Sequence, residues 1–182
     1  MNEYEKALRV AVTAHKEQVR KSDGSPYIVH PVIVSRILEQ HGYQGEVLLA
    51  ALLHDVIEDT AVTEADLRSE FSDRVVDIIA AVSEDKDLPW RERKEQYIAQ
   101  VVAADEAIKA LSVADKIHNA ESLIDHHGHV GAEAWSVYSK PKDEKLWFEE
   151  TLHQELALVW KHSLLDTYGN LIGALRELPG NA

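Results

Sequence analysis

The sequence predicts an all-α protein folded as a single domain. Apolar residues recur at the three- and four-residue spacing of a helix along most of the 182-residue chain. Segments with the alternating pattern of β-strands are nearly absent, and no repeat, low-complexity tract or linker divides the sequence. A chain of this length is long enough to bury a hydrophobic core as one domain.

Turn residues and helix-start signals divide the first part of the chain. Residues 2–19 predict a first helix, because small and apolar side chains recur there at helical spacing. The turn residues between Lys21 and Pro26 predict a loop. Pro31 suits the first turn of a second helix, which Gly42 is expected to end.

The next segment, from Glu46 to about Asp59, predicts one continuous third helix with a wide apolar face. Thr63 and Asp66 have the three-residue spacing of a capping box and indicate the start of a short fourth helix. The helical pattern then continues over residues 73–82.

The second half of the chain continues the helical series. A helix is predicted over about 90–103, and Asp105 can cap the helix that follows. That helix is expected to break at residues 126–129, where three histidines flank a glycine. Two further helices are predicted, one after Pro141 and one over about 164–178.

Composition restricts the classes of function. The net charge of −13 disfavours binding to nucleic acids or anionic membranes, because both need a basic surface. Cysteine is absent, so any metal must be held by nitrogen and oxygen atoms. The first ten residues lack the apolar segment of a secretory signal, and no apolar run approaches the roughly 20 residues that cross a bilayer. A cytoplasmic location is therefore expected.

Four ionisable residues occur together at the end of the predicted third helix: His54, Asp55, Glu58 and Asp59. On a helix the three carboxylates share one face, and the longer imidazole can reach the same point. Three acidic groups would repel one another, and a divalent cation would remove that repulsion. The alternative is that the His-Asp pair is incidental and that the other two residues lie at a solvated helix end.

Two more candidate ligands lie in apolar surroundings. His30 stands between apolar residues at the start of the second helix, and Asp115 interrupts an apolar helical stretch. A buried carboxylate without a partner is costly, so a partner is expected. Taken singly, His30 could be a hydrogen-bonded loop residue and Asp115 could pair with a lysine or arginine. Taken together with His54 and Asp55, they favour a metal site.

This order of residues resembles the HD phosphohydrolase superfamily. More specifically, it is similar to the hydrolase domain of RelA/SpoT-type enzymes and to the stand-alone small alarmone hydrolases. The matching stretches are Arg20-Lys21, Pro26–Pro31, Ala51–Thr60, Glu84–Pro89, Glu92–Lys94 and Ala114–Asn119. They cover roughly residues 4–124, and the Glu-Asp pair after the His-Asp pair is their most specific part.

The resemblance implies a metal-dependent enzyme with manganese as the usual ion, while zinc, iron and nickel also suit such ligands. The implied ligands are His30, His54, Asp55 and Asp115. Glu58 and Asp59 would activate or orient the attacking water, or only hydrogen-bond it from outside the coordination shell. The nucleotide would be held by Arg20 at the base, by Lys21 at a phosphate and by Asn119 at the sugar or a phosphate.

The implied reaction removes pyrophosphate from the 3′ position of guanosine tetra- or pentaphosphate. Two alternatives remain: an HD phosphohydrolase acting on another phosphorylated nucleotide, and a non-catalytic nucleotide-binding module. The expected organisation is one HD phosphohydrolase domain over residues 1–182, with a core at about 4–124 and C-terminal helices at about 142–178.

The resemblance weakens after residue 124, where several residues have two interpretations. A basic residue that contacts phosphate in the alarmone enzymes could be Lys140, Lys142 or Lys145, or all three could be surface lysines. The histidines at 126, 127 and 129 could form a second metal site, although a solvated loop is favoured. Five aromatic residues could stack on a base or, as favoured, pack the C-terminal helices onto the domain or onto a second subunit: Trp135, Tyr138, Trp147, Phe148 and Trp160.

Overall fold

A computed structural model describes residues 2–180, and its regular secondary structure is helical. The α-helices, numbered in chain order, are α1 Glu3–Ala14, α2 Val29–Gln40, α3 Glu46–Leu53, α4 Val56–Asp59, α5 Glu64–Glu70, α6 Asp73–Ala80, α7 Trp90–Ala103, α8 Glu106–Val130, α9 Lys142–Val159 and α10 Ser163–Glu177. A 3-10 helix, Gly131–Val137, connects α8 to α9. Over residues 2–180 the only β-type pairing is one isolated bridge between Val19 and Pro26. The all-α prediction is confirmed.

Side-chain caps fix the helix starts that the sequence indicated. The Thr63 hydroxyl accepts the Asp66 amide at 3.2 Å, and the Asp66 carboxylate accepts the Thr63 amide at 2.9 Å, so the predicted capping box is present. Asp105 accepts the Ile108 amide at 3.2 Å and caps α8. Each cap satisfies an amide that has no partner within its helix.

The first helix is shorter than predicted, because it ends at Ala14 rather than near residue 19. Main-chain groups beyond that point pair across a loop. The Arg20 amide donates to the Ser25 carbonyl at 2.8 Å, and the Tyr27 amide donates to the Gln18 carbonyl at 3.0 Å. These hydrogen bonds across the loop replace the helical ones and bring Arg20 close to Tyr27, just before α2.

The predicted break over residues 126–129 is wrong, since α8 runs through it without interruption. Gly128 lies inside the helix, where a single glycine costs only about 1 kcal/mol relative to alanine. Packing of α8 against α2 and α10 outweighs that cost. The helix ends instead at Gly131, whose φ of +66° suits glycine.

Helix α8 is the central element of the fold, and it packs against α2, α10 and the 3-10 helix. On one side α3 packs against α1, α2 and α6, and on the other α9 packs against α7 and α10. Trp135 and Phe148 are each 1% exposed, and they belong to the packed interior as the favoured interpretation predicted. The C-terminal helices are therefore held to the rest of the chain by apolar contacts.

None of the helices within residues 2–180 combines the length and the apolar character that a bilayer crossing requires.

Candidate metal and phosphate site

Four side chains from separate parts of the chain converge beside α8. His30 comes from the first turn of α2, His54 and Asp55 follow α3, and Asp115 comes from the middle of α8. His30 Nε2 lies 2.9 Å from Asp115 Oδ1 and 3.5 Å from Asp55 Oδ2. His54 Nε2 lies 3.2 Å from Asp55 Oδ2 and 3.7 Å from Asp115 Oδ1. These four residues are called the metal cluster below.

The helix predicted over residues 46–59 is interrupted within the cluster. Helix α3 ends at Leu53, and α4 begins at Val56. His54 Nδ1 donates to the Ala51 carbonyl at 2.8 Å, the same carbonyl that a continuous helix would offer to the Asp55 amide. The three carboxylates nevertheless remain on one helical turn, because Asp55 precedes α4 and the Asp59 amide donates to the Asp55 carbonyl at 2.9 Å.

The donor set fits a divalent cation. Because His54 Nδ1 donates to a carbonyl, its Nε2 is free to act as a ligand. Nε2 is buried and has no hydrogen-bond partner, although Asp55 Oδ2 is close. One donor atom from each of His30, His54 and Asp115 lies within 4.8 Å of the others, which is a separation that one ion can span.

The charges in the cluster favour a cation at its centre. Burial opposes a charged His54, but the carboxylates of Asp55 and Asp115 outweigh it and raise the pKa of His54 to about 9. Burial alone would raise the pKa of Asp115, but Lys116 and His30 hold it well below its usual range. The cluster is thus an anionic cavity that stabilises positive charge, and a divalent metal is the cation that its nitrogen and oxygen donors suit.

Surrounding side chains orient the cluster. His30 Nδ1 lies 2.6 Å from His118 Nδ1, and burial lowers the pKa of both imidazoles, that of His118 to about 4. The Tyr27 hydroxyl donates to Asp55 Oδ2 at 2.7 Å. The Asn119 amide donates to Asp115 Oδ1 at 2.6 Å. Such outer partners fix the rotamers and tautomers of metal ligands.

Glu58 and Asp59 occupy different positions. Glu58 lines both the cavity of about 110 Å³ that contains the metal cluster, called the inner cavity, and an adjoining outer cavity of about 460 Å³. Its Oε2 accepts the Glu84 amide at 3.2 Å, and burial together with the Asp55 charge raises its pKa despite that bond. Asp59 lines only the outer cavity and accepts Lys86 at 2.6 Å.

The predicted nucleotide contacts surround the outer cavity. Arg20 donates to Asn119 Oδ1 at 3.2 Å and to Ser122 Oγ at 3.3 Å, and its guanidinium lies 5.8 Å from the centre of the Tyr27 ring. Lys21 is exposed at the rim of the same cavity. Asn119 lines the inner cavity, the outer cavity and a third cavity described next.

The third cavity, of about 230 Å³, is called the lysine cavity. It is lined by Arg93 and by four lysines: Lys94, Lys116, Lys140 and Lys145. Three of the ammonium groups surround the ring of Phe148, at 4.4 Å for Lys94 and 5.7 Å for both Lys116 and Lys145. A chain of net charge −13 therefore has a local concentration of positive charge directly beside its metal cluster.

The structure distinguishes between the C-terminal lysines and histidines for which the sequence left two interpretations. Lys140 and Lys145 line the lysine cavity, whereas the Lys142 ammonium donates to the Arg176 carbonyl at 2.8 Å near the end of α10. The histidines at 126, 127 and 129 lie in the last turns of the continuous helix α8 rather than in a loop. They do not form a group with metal-binding geometry; within residues 2–180 that geometry is found at His30, His54 and Asp115.

Several residues of this site lie within the matching stretches but were given no role from the sequence, namely Tyr27, Arg93, Lys94, Lys116 and His118. A signal for one of them was available, because His118 follows Asp115 by three residues and shares a helix face with it. Spacing gave no such signal for Lys94 and Lys116, although both lie within the stretches that resemble the alarmone hydrolases.

Comparisons with known proteins agree with this geometry. The family model for the HD domain matches residues 7–140. A guanosine-3′,5′-bis(diphosphate) 3′-pyrophosphohydrolase, MESH1 of Danio rerio, is 37% identical over 133 residues, which are 71% of this chain and 72% of that protein. The bifunctional (p)ppGpp synthase/hydrolase SpoT of Escherichia coli K12 is 36% identical over 143 residues, which are 73% of this chain but 20% of SpoT.

A solved structure extends the likeness to the C-terminal helices. It is that of a metazoan ortholog of SpoT, which hydrolyses ppGpp, and it superposes with a TM-score of 0.78 at 26% identity. The match covers 98% of both chains, so it includes α9 and α10. On the family model and on the relatives together, the chain belongs to the HD domain family.

Proposed function

We propose that the protein is a metal-dependent phosphohydrolase that removes the 3′-pyrophosphate from guanosine tetra- or pentaphosphate. The observation that carries this proposal is the junction of three cavities at Asn119. One cavity contains the metal cluster, one is of nucleotide size, and one is lined by lysines. A nucleotide with two separate phosphate groups has the shape and the charge that this junction suits. The named activities of MESH1 and SpoT support the same substrate.

We assign the metal to His30, His54, Asp55 and Asp115, and manganese is the ion we expect. The unpartnered His54 Nε2 supports this assignment. A divalent ion held there would supply a water nucleophile at neutral pH and would neutralise phosphate charge. The protein's own part is then to bind the nucleotide, orient it and manage protons.

Glu58 is the residue we assign to proton transfer, with Asp59 and Lys86 beside it. Glu58 Oε2 accepts the Glu84 amide, so Oε1 is the atom that takes or gives the proton. Burial raises the pKa of Glu58, which makes it a stronger base than an exposed glutamate and suits a group that accepts a proton from water. Asp59 lines the outer cavity and contacts Lys86, and we expect the two to act on water or on phosphate oxygens there.

The nucleotide itself would occupy the outer cavity. Arg20 would stack on the base, and its bonds to Asn119 and Ser122 hold the guanidinium plane for that contact. Lys21 would meet a phosphate at the rim, and Asn119 would contact the sugar or a phosphate. The second phosphate group would enter the lysine cavity, where Lys94 and Lys145 lie at the wall.

The discriminating experiment is a substrate panel. The purified, manganese-loaded protein is incubated with guanosine tetraphosphate, ordinary nucleotides and NADPH, and the products are identified. Pyrophosphate released from the alarmone alone, and lost after chelation of the metal, is the expected result. Cleavage of another nucleotide instead would favour a different HD phosphohydrolase. If every substrate stays intact, a non-catalytic nucleotide-binding module is favoured.

Phosphate binding is expected to weaken as the pH rises through about 8. Burial and the Lys116 charge lower the pKa of Lys94 to about 8, so Lys94 is charged below that value and neutral above it. We expect KM for the alarmone to rise about tenfold between pH 7 and pH 9 if the charged form is the one that binds. Initial-rate measurements at several pH values would show this.

The matched variant for this pH effect is Lys94→Arg, because arginine stays charged over the whole range. Its KM should lack the rise between pH 7 and pH 9, whereas Lys161→Arg at an exposed position should behave like the wild type. A wild-type KM that is flat across this range would contradict the role given to Lys94.

The remaining assignments are also proposals. Residues 1–182 would form one HD phosphohydrolase domain with its core at about 4–124 and its C-terminal helices at about 142–178. The net charge supports a small nucleotide rather than a nucleic acid as the substrate, in a cytoplasmic location. Leu158 and Val159 are 78% and 56% exposed at the end of α9, which supports self-association through the C-terminal helices.

A further inference from the structure

Glu149 on α9 is a buried carboxylate outside the metal cluster. It is 2% exposed, and a buried carboxylate of this kind needs partners for both of its oxygens. Oε1 accepts the ammonium of Lys145, one turn earlier on α9. Oε2 accepts the hydroxyl of Tyr168 from α10, which also lies 3.3 Å from the Glu149 carbonyl.

The partner of Glu149 is one of the lysines at the wall of the lysine cavity. The Lys145 ammonium lies 4.8 Å from the centre of the Tyr138 ring and shares the Phe148 ring with Lys94 and Lys116. Three ammonium groups so close together repel one another, and each has its own carboxylate. Lys94 contacts Glu84, Lys116 contacts Asp115, and Lys145 contacts Glu149.

We propose that Glu149 and Tyr168 form a positioning pair that holds the Lys145 ammonium at the cavity wall, ready to bind a substrate phosphate. The inference rests on the proposed function, because it assigns Lys145 to a phosphate of the substrate. It gives the α9–α10 pair a role in the site, since all three residues lie beyond residue 140, where the HD family match ends.

The contacts of Glu149 distinguish this positioning role from that of an ordinary ion pair within one helix. An exposed pair four residues apart contributes only a few tenths of a kcal/mol and leaves both side chains mobile. Here Tyr168, itself fully buried, reaches across from a second helix and fixes the oxygen that Lys145 does not use. Burial opposes the charge on Lys145, but Glu149 outweighs it and raises the pKa of Lys145. The ammonium thus stays charged and in one place.

A double-mutant cycle tests the pair on the manganese-loaded protein, with inorganic pyrophosphate as the probe and calorimetry as the measure of affinity. Lys145→Met should weaken pyrophosphate binding about tenfold or more, as expected for the loss of a charge-assisted bond. Tyr168→Phe keeps the ring and should weaken binding about threefold to tenfold. The double variant should bind no more weakly than Lys145→Met alone, because Tyr168 acts through Lys145.

The control is Tyr43→Phe, which removes the hydroxyl of another Tyr–Glu pair, one that bonds Glu106 at 3.0 Å away from the cavity. It should leave pyrophosphate affinity unchanged. Glu149→Gln provides a second test in which size is kept and charge is lost. In a protein that already carries Lys145→Met, Glu149→Gln should cause no further loss of pyrophosphate affinity. The melting temperature of each variant is measured as well, so that weaker binding can be distinguished from unfolding.

Three results would overturn the inference: additive losses in the cycle, unchanged affinity in a folded Tyr168→Phe protein, or no pyrophosphate binding by the wild type. Failure of the proposed function is distinguishable from these. A wild type that binds pyrophosphate but leaves the alarmone intact refutes the substrate assignment, while the cycle still tests the pair. Alarmone hydrolysis with an additive cycle refutes the pair alone.

Discussion

Replacement of His54 with alanine is expected to abolish metal retention and to reduce alarmone hydrolysis on the order of a thousandfold or more. The ion contributes several kcal/mol of charge stabilisation, and each 1.36 kcal/mol is a factor of ten in rate. His54 Nε2 is a buried nitrogen of the metal cluster without a hydrogen-bond partner, so its removal leaves two carboxylates facing an incomplete cavity. Metal content after dialysis, measured by mass spectrometry, and initial rates test this.

Asp115→Ala should give the same result from the opposite side of the cluster, because Asp115 Oδ1 lies 2.9 Å from His30 Nε2. His129→Ala is the matched control. His129 is exposed and bonds the Asp125 carbonyl at 2.8 Å, so its removal should change neither metal content nor rate. Stoichiometric metal in a folded His54→Ala protein would refute the cluster as the metal site.

Replacement of Glu58 with glutamine is expected to keep the metal and to lower kcat by about a hundredfold to ten-thousandfold, the usual contribution of a general acid or base. The amide oxygen can still accept the Glu84 amide, so the local structure should persist. What the variant loses is the oxygen that takes the proton. Metal content and kcat, measured on the same preparation, separate these two properties.

The control for this variant is Glu92→Gln, the same change at an exposed position in the first turn of α7. It should have wild-type kcat. Full activity in Glu58→Gln would remove Glu58 from the mechanism. Loss of metal together with loss of activity would instead assign Glu58 to the coordination shell.

The sequence was informative wherever the determining interaction is local. Helical periodicity predicted the all-α fold, and local hydrogen bonds produced the capping box at Thr63 and the cap at Asp105. The apolar surroundings of His30 and Asp115, read together with His54-Asp55, singled out the four residues that meet beside α8. Two histidines and two aspartates indicated a metal site whose ligands are nitrogen and oxygen atoms.

Elements whose boundaries depend on particular hydrogen bonds or on packing between helices were predicted less well. The first helix stops at Ala14 because Arg20 and Tyr27 pair with main-chain groups across a loop. Helix α8 continues through Gly128 because its neighbours pack along its length. The break between α3 and α4 arises from a histidine whose imidazole bonds a backbone carbonyl while its other nitrogen faces the cluster. Hydrophobic periodicity shows none of these hydrogen bonds or packing contacts, even where the partners are near in sequence.

The sequence by itself determined which chemical groups were available, and the tertiary structure decided which of them meet. Lys142 and Lys145 are three residues apart on α9, yet one bonds the end of α10 and the other lines the lysine cavity. A long, flexible side chain goes to whichever acceptor is nearest in space, and packing between helices sets that distance. For the same reason the role of Glu149 became visible only when Tyr168, nineteen residues later, was seen to take its second oxygen.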